Sequence, residues 1–207
     1  MQRTRIKICG ITRDEDLHCA VAAGADAIGL VFYAPSPRYL AASRAAELVR
    51  RLPPFVTTVG LFVNEPAANV KAVLQKLPLQ LLQFHGEEDE AYCAAFGLPY
   101  IKAARMKPGL DLLEYAKSFA SSAALLLDAH VDSYGGSGKT FDWSLIPAGL
   151  PLPLVLSGGL HAGNVAQALA AVKPWAVDVS SGVEAAPGVK DAEKIARFIA
   201  EVRKADA

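Results

Sequence analysis

Short apolar runs alternate with amphipathic stretches along the whole chain. Each run has the length and composition of a buried strand, and the stretches that follow carry apolar residues at helical spacing. Val70, Val73, Leu74 and Leu77, for example, form one i, i+3, i+4, i+7 stripe. The expected strands cover residues 5–9, 27–32, 57–63, 80–84, 100–103, 123–128, 154–157 and 176–180.

The helical patterns fall between these strands. Thr12 and Glu15 have the spacing of a capping box, which predicts that the first helix begins there. A short helical turn is expected after Asp142. The remaining helices are expected to begin near residues 43, 64, 87, 110 and 163, with a last one at the C-terminal end.

Eight strand-helix units without a compositional break predict an α/β fold with parallel strands joined by right-handed crossovers. In 207 residues this is typical of a single-domain (β/α)8 TIM barrel spanning residues 1–207. The alternative fold is an open doubly wound sheet, which would carry a glycine-rich nucleotide loop after its first strand. The residues in that position, Cys9 to Thr12, do not form the pattern.

Charge and cysteine content narrow the functional classes. The 21 basic and 21 acidic residues balance, so neither nucleic acid nor an anionic membrane surface is an expected partner. The three cysteines are odd in number and form no CxxC pair, which argues against a disulfide framework and against a zinc site. No apolar run has the length of a membrane span, and the N-terminus does not resemble a secretory signal. We therefore expect a soluble cytoplasmic protein without a metal.

Polar residues lie at the carboxyl ends of four expected strands. Because side chains alternate along a strand, Lys7 and Cys9 should point into the barrel, and so should His85, Asp128 and Asp178. Taken singly, each residue also has a structural interpretation: a packed thiol, a helix cap, or a buried ion pair between Lys7 and Asp178. Their convergence on one rim, where barrel enzymes place their chemistry, favours a catalytic site.

Small residues follow the seventh and eighth strands. Loops at these positions are the usual phosphate site of this fold, because glycine lets backbone N–H groups approach phosphate oxygens and serine adds donors. The alternative is two ordinary turns. The expected phosphate-binding residues are Gly158, Gly159, Ser180, Ser181 and Gly182.

The glycine-rich segment at residues 135–140 resembles the end of a nucleotide-binding P-loop. The glycine that such a loop needs earlier is replaced by Ser133, and the segment follows the sixth strand. It is more typical of a lid over the active site.

Ten blocks of sequence, in order, resemble the phosphoribosylanthranilate isomerase family over essentially the whole chain. They include the opening Lys7 to Thr12 and the stretch Leu82 to Gly86. The others are 29–32, 36–39, 59–64, 127–128, 135–143, 156–160, 178–184 and 187–191.

The resemblance implies an Amadori rearrangement of N-(5-phosphoribosyl)anthranilate in tryptophan biosynthesis. Cys9 would be the general base, Asp128 the general acid, and Arg38 the ligand of the anthranilate carboxylate. The loops after the seventh and eighth strands would hold the ribose 5-phosphate. Such a reaction requires no redox or metal step, so no cofactor is implied. Lys7, His85 and Asp178 would line the substrate site, in roles that the sequence leaves open.

The proposed acid and base make opposite demands on their surroundings. We expect the cation Lys7 to lower the pKa of Cys9, and burial or the carboxylate of Asp178 to favour the protonated form of Asp128.

Two other functions stay open at this point. One is a different phosphosugar isomerase built on two aspartates, and the other is a non-catalytic phosphometabolite-binding barrel. The chain could be a monomer or a homodimer.

Overall fold

Eight parallel strands close into a barrel in which each strand pairs with its sequence neighbours and β8 returns to β1. The computed structural model describes residues 3–107, 109–129 and 140–207. The predicted (β/α)8 fold is confirmed. The strands are β1 (Arg5–Cys9), β2 (Ala27–Val31), β3 (Thr57–Phe62), β4 (Leu81–Phe84), β5 (Tyr100–Met106), β6 (Ala124–Ala129), β7 (Leu154–Leu156) and β8 (Ala176–Val179).

Helices cover the outside of the barrel. Within the described residues, the connection from β6 to β7 contains a 3₁₀ turn, Trp143–Leu145, which confirms the helical turn predicted after Asp142. Asp142 caps it by accepting a hydrogen bond from the Ser144 amide. A second 3₁₀ turn, Ser181–Val183, follows β8. The α-helices are α1 (Asp14–Ala23), α2 (Ala42–Val49), α3 (Ala67–Lys76), α4 (Glu90–Ala94), α5 (Leu112–Lys117), α6 (Val165–Val172) and α7 (Ala192–Ala205).

The alternation of side chains along the strands produces two apolar layers. Ile6, Ile8 and Phe84 point outward and pack with the helices in the main core. A smaller cluster, which includes Leu126 and Val155, fills the barrel interior. The predicted parity is therefore confirmed, and it leaves the polar residues at the strand ends directed into the barrel.

The predicted capping box of α1 is wrong. Arg13 occupies the N-cap position without a side-chain cap, and Thr12 Oγ1 instead donates a hydrogen bond to the carbonyl of Gly188 at 2.6 Å. The hydroxyl therefore ties the loop after β1 to the chain after β8. The first turn of α1 is still favoured, because Asp14, Glu15 and Asp16 lie at the positive end of its dipole.

Helix α4 begins three residues later than expected because Glu88 turns inward. Its carboxylate accepts hydrogen bonds from the backbone of Asn64 and from Lys102 Nζ, at 2.7 and 2.8 Å. Asp89 then becomes the N-cap and accepts from the Tyr92 amide.

A short antiparallel hairpin after β8 was not predicted. It consists of β9 (Glu184–Ala186) and β10 (Val189–Lys190). Gly188 turns the chain between them with φ near +79°. The hairpin brings two charged side chains, Glu184 and Lys190, towards the carboxyl end of the barrel.

No helix in the described part of the chain is both long and apolar enough to cross a membrane.

Candidate active site

A pocket opens at the carboxyl ends of the strands, and it collects almost all of the predicted site residues. Lys7 and Gly182 are the two predicted residues that do not line it. The predicted residues on its wall are Cys9, Arg38, His85, Asp128, Gly158, Gly159, Asp178, Ser180 and Ser181.

Cys9 ends β1 among apolar neighbours that include Val31, Leu61 and Val63. Gly29, its partner on β2, makes room for it: a Cβ on Gly29 would lie 2.7 Å from Cys9 Sγ. Burial raises the pKa of the Cys9 thiol, and the cation Lys7 lowers it by less. Lys7 therefore acts in the expected direction, but burial, which the sequence did not weigh for this thiol, outweighs it.

Lys7 and Asp178 form a buried ion pair inside the barrel, with 2.9 Å between Nζ and Oδ1. Burial alone would lower the pKa of Lys7, but Asp178 and Cys9 together raise it. Asp178 lines the pocket, whereas Lys7 does not and contacts Asp178 from inside the barrel. Asp178 thus neutralises Lys7, and the structure gives it no contact with Asp128.

Asp128 near the end of β6 is in contact with His85 after β4. The distance from His85 Nε2 to Asp128 Oδ2 is 3.1 Å, and the amide of Ala129 donates to Asp128 Oδ1 at 2.9 Å. On its other side, His85 Nδ1 lies 3.0 Å from Gln83 Nε2. The three side chains form one hydrogen-bonded chain from the barrel interior to the pocket.

Arg38 is held by an acidic residue that the sequence did not single out. Its Nε and Nη2 donate to the two carboxylate oxygens of Glu184 at 2.8 and 2.7 Å, and Lys190 Nζ donates to the same carboxylate at 2.8 Å. Burial raises the pKa of Glu184, but Arg38 and Lys190 outweigh it and hold that pKa below its usual range. Among the described residues Nη1 of Arg38 has no partner, so the Nη1–Nη2 edge of the guanidinium is free to grip another carboxylate.

The loops after β7 and β8 lie beside the proposed acid and base. Gly158 and Gly159 have φ near +85° and +64°, a conformation that favours glycine. Ser180 Oγ donates to the carbonyl of Cys9 at 3.0 Å, which fixes the loop to the end of β1. Gly182 has a packing role, since a side chain there would strike the carbonyl of Leu160.

Comparison with known proteins agrees with this geometry. A model of the N-(5'-phosphoribosyl)anthranilate isomerase family matches residues 6–201. The chain belongs to this family. One relative, the N-(5'-phosphoribosyl)anthranilate isomerase of Dechloromonas aromatica, is 63% identical over 204 residues, which cover 99% of this chain and 98% of the relative.

Solved structures of the family share the whole fold. The phosphoribosyl anthranilate isomerase of Thermus thermophilus matches with a TM-score of 0.89 and 37% identity, over 97% of this chain and 99% of that one. A second structure, in complex with reduced 1-(o-carboxyphenylamino)-1-deoxyribulose 5-phosphate, matches with a TM-score of 0.83 and 42% identity, over the same shares. The predicted family and fold are thus confirmed.

Glu184, Lys190 and Gln83 are polar residues at the site that had no predicted role. The pairing of Glu184 and Lys190 with Arg38 depends on the unpredicted hairpin, so only their position in a family block could have drawn attention to them. Gln83 shares the inward parity of His85, which was a usable signal. The predicted lid at residues 135–140 falls, except for Thr140, outside the described residues.

The other two cysteines differ from Cys9 in their surroundings. Cys93 is fully buried on α4, and burial raises its pKa to about 12. Cys19 lies on α1 and packs against the main core. Neither lines the pocket, so Cys9 is the thiol placed to react with a bound substrate.

Proposed function

We propose that this chain converts N-(5'-phosphoribosyl)anthranilate into 1-(2-carboxyphenylamino)-1-deoxyribulose 5-phosphate in tryptophan biosynthesis. The observation that carries the proposal is one pocket lined by a thiol, a carboxyl group, an arginine and two glycine-serine loops. These are the groups that the reaction requires: a base, an acid, a carboxylate ligand and a phosphate site. Family membership and a family structure bound to a reduced product analogue support the same substrate class.

Asp128 is the proposed acid. Its proton passes to the furanose ring oxygen, the bond from C1 to that oxygen breaks, and the nitrogen lone pair forms the Schiff base. Hydrogen bonds from His85 and from the Ala129 amide stabilise the carboxylate that this step leaves behind. A positioned acid or base of this kind contributes about 10²–10⁴-fold to the rate.

Cys9 is the proposed base. Its thiolate removes the proton from C2 of the Schiff base, and the electron pair of the broken C–H bond gives an enolamine that tautomerises to the ketone. Burial makes the thiolate a stronger base once it forms, because water no longer stabilises its charge. Lys7 and Lys190 offset part of this effect by lowering the pKa of the thiol.

The substrate's two anionic groups have separate proposed sites. The free edge of Arg38 would hold the anthranilate carboxylate through two hydrogen bonds, a geometry that a planar guanidinium favours. The phosphate would lie against Gly158, Gly159, Ser180 and Ser181, where backbone N–H groups and hydroxyls can donate.

A conversion assay tests the proposal. Purified protein is given N-(5'-phosphoribosyl)anthranilate and, in parallel, the aminoimidazole carboxamide substrate of the histidine-pathway isomerase. Turnover of the first alone is expected. Turnover of neither, with binding intact, would support a non-catalytic binding protein instead.

Two substitutions test the residue roles in the same assay. Asp128→Asn and Cys9→Ser should each lower kcat by about 10²-fold or more while a product analogue still binds. Cys93→Ser is the matched control, because that thiol is buried away from the pocket, and its kcat should not change. Wild-type kcat in either active-site variant contradicts the assigned role.

The assembly and location are also proposals. A relative from Thermotoga maritima is described as dimeric, so either a monomer or a homodimer is consistent with the family. Light scattering coupled to size exclusion decides between them. A cytoplasmic location is supported by three free cysteines, which are typical of a reducing compartment.

A further inference from the structure

Gln83 is a fully buried polar residue on the pocket wall, next to His85. It lies on β4 with a relative exposure of 0%, and its Nε2 is 3.0 Å from His85 Nδ1. Its Oε1 is buried and has no hydrogen-bond partner among the residues that the structure describes. A buried amide that leaves its oxygen unsatisfied is destabilising, so an apolar side chain would pack here at lower cost. The residue therefore needs an explanation beyond packing.

The hydrogen bond to His85 decides the tautomer of the imidazole. An amide nitrogen carries only donors, so Gln83 Nε2 donates and His85 Nδ1 accepts. In a neutral imidazole the other nitrogen then carries the proton. His85 Nε2–H consequently donates to Asp128 Oδ2, across the observed 3.1 Å.

The opposite orientation of the amide is worse satisfied. If the Gln83 amide were rotated by half a turn, Oε1 would face Nδ1, and Nε2 would take the buried place that has no partner. Two N–H donors would then be unsatisfied, whereas the observed orientation leaves one N–H and one carbonyl without a partner among the described residues, and orphaned buried N–H groups are the rarer case in proteins. The observed orientation is thus the favoured one.

We propose that Gln83 is a positioning residue that keeps His85 as a hydrogen-bond donor to Asp128. This inference rests on the proposed role of Asp128 as the acid. With Nδ1 protonated and Nε2 bare, His85 would present a lone pair 3.1 Å from the carboxyl group and would accept the acidic proton itself. With Nε2 protonated it cannot do so, and the proton of Asp128 is directed to the ring oxygen of the substrate.

The tautomer can be measured directly. Protein labelled with ¹⁵N-histidine gives two-bond ¹H–¹⁵N spectra in which the protonated and unprotonated ring nitrogens have well-separated shifts. A His85→Asn sample identifies the His85 signals among the four histidines. The ligand-free wild type should show the Nε2–H form at the pH of the activity assay. An Nδ1–H form in the wild type overturns the proposal, and this measurement requires no variant at position 83.

Gln83→Glu is the informative substitution. It keeps the shape of the side chain but offers only acceptors, so it should move the proton to Nδ1 and expose the lone pair of Nε2. We expect the His85 spectrum to change accordingly and kcat to fall by about 10²-fold, the lower end of the contribution of a positioned acid, with KM unchanged.

Gln80→Glu provides the matched control. Gln80 is an exposed residue just before β4, and its Oε1 accepts hydrogen bonds from Thr58, a function that glutamate retains. Its kcat and its His85 spectrum should equal those of the wild type. Wild-type kcat in Gln83→Glu with an altered tautomer shows that the tautomer does not matter to the reaction, and it contradicts the proposal.

The two hypotheses fail in different ways. Wild-type kcat in Asp128→Asn removes the proposed acid, whatever the spectrum of His85 shows. Retained Nε2–H in Gln83→Glu, with Asp128→Asn inactive, leaves the acid in place and refutes the role of Gln83.

Discussion

Substituting Gly29 by alanine tests whether the strand next to Cys9 sets the position of its thiol. A Cβ at residue 29 would lie 2.7 Å from Cys9 Sγ, 3.0 Å from Cys9 Cα and 3.1 Å from Lys7 Cε. Ordinary contacts between such atoms are about 3.5–4.0 Å. To restore such a contact Cys9 Sγ has to move away by about 1 Å, and because Cys9 Cα is backbone, the end of β1 also has to give by a few tenths of an ångström.

The size of the effect follows from this displacement. A shift of about 1 Å in a reacting group lowers the rate by about 10²-fold, because the attack geometry is lost. Overpacking of a close-packed site also destabilises the fold by about 1–3 kcal/mol. We therefore expect kcat to fall by about 10²-fold and the midpoint of urea unfolding to decrease, with the phosphate loops and KM little affected.

Gly60→Ala separates the two effects. Gly60 lies on the neighbouring strand β3, and a Cβ there would meet the side chains of Leu79, Phe62 and Phe32 in the outer layer. It should lower stability in the same range while leaving kcat unchanged. If Gly29→Ala unfolds at a lower urea concentration but turns over like the wild type, the reasoning that Gly29 positions the thiol is refuted.

Two further predictions concern the buried charges. Glu184→Gln should raise KM by freeing the Arg38 guanidinium. The pKa of Glu184 is lowered in the folded protein, so the ionised carboxylate stabilises the fold at pH values above its unfolded pKa of about 4.3. This contribution is lost as the pH falls below that value. The free energies of urea unfolding of wild type and variant should therefore differ at neutral pH and converge at acid pH. Lys7→Met should destabilise the fold by about 3–5 kcal/mol, because it leaves the Asp178 carboxylate buried without its partner. The double variant Lys7→Met with Asp178→Leu should recover much of that loss. If the losses of stability of the two single variants simply add in the double variant, the ion pair is contradicted.

Hydrophobic pattern alone predicted the strands well, because a strand buried on both faces has a continuous apolar run that few other elements share. Parity along these strands then placed Cys9, His85, Asp128 and Asp178 on the correct face. Helix starts were predicted less well. Thr12 and Glu88 have side chains that could cap a helix, but both bind groups far away in the chain, which no local pattern records.

The electrostatic environment of Cys9 could not be predicted from the sequence, because it depends on burial and on partners from distant segments. Burial raises the pKa of the thiol more than Lys7 and Lys190 lower it, and Lys190 reaches the site only through a two-stranded hairpin that the sequence did not reveal. A base for C–H abstraction gains strength with its pKa but loses ionised population, so its effectiveness depends on that balance. Lys7 and Lys190, which do not line the pocket, therefore offset only part of the effect of burial on the one thiol that does.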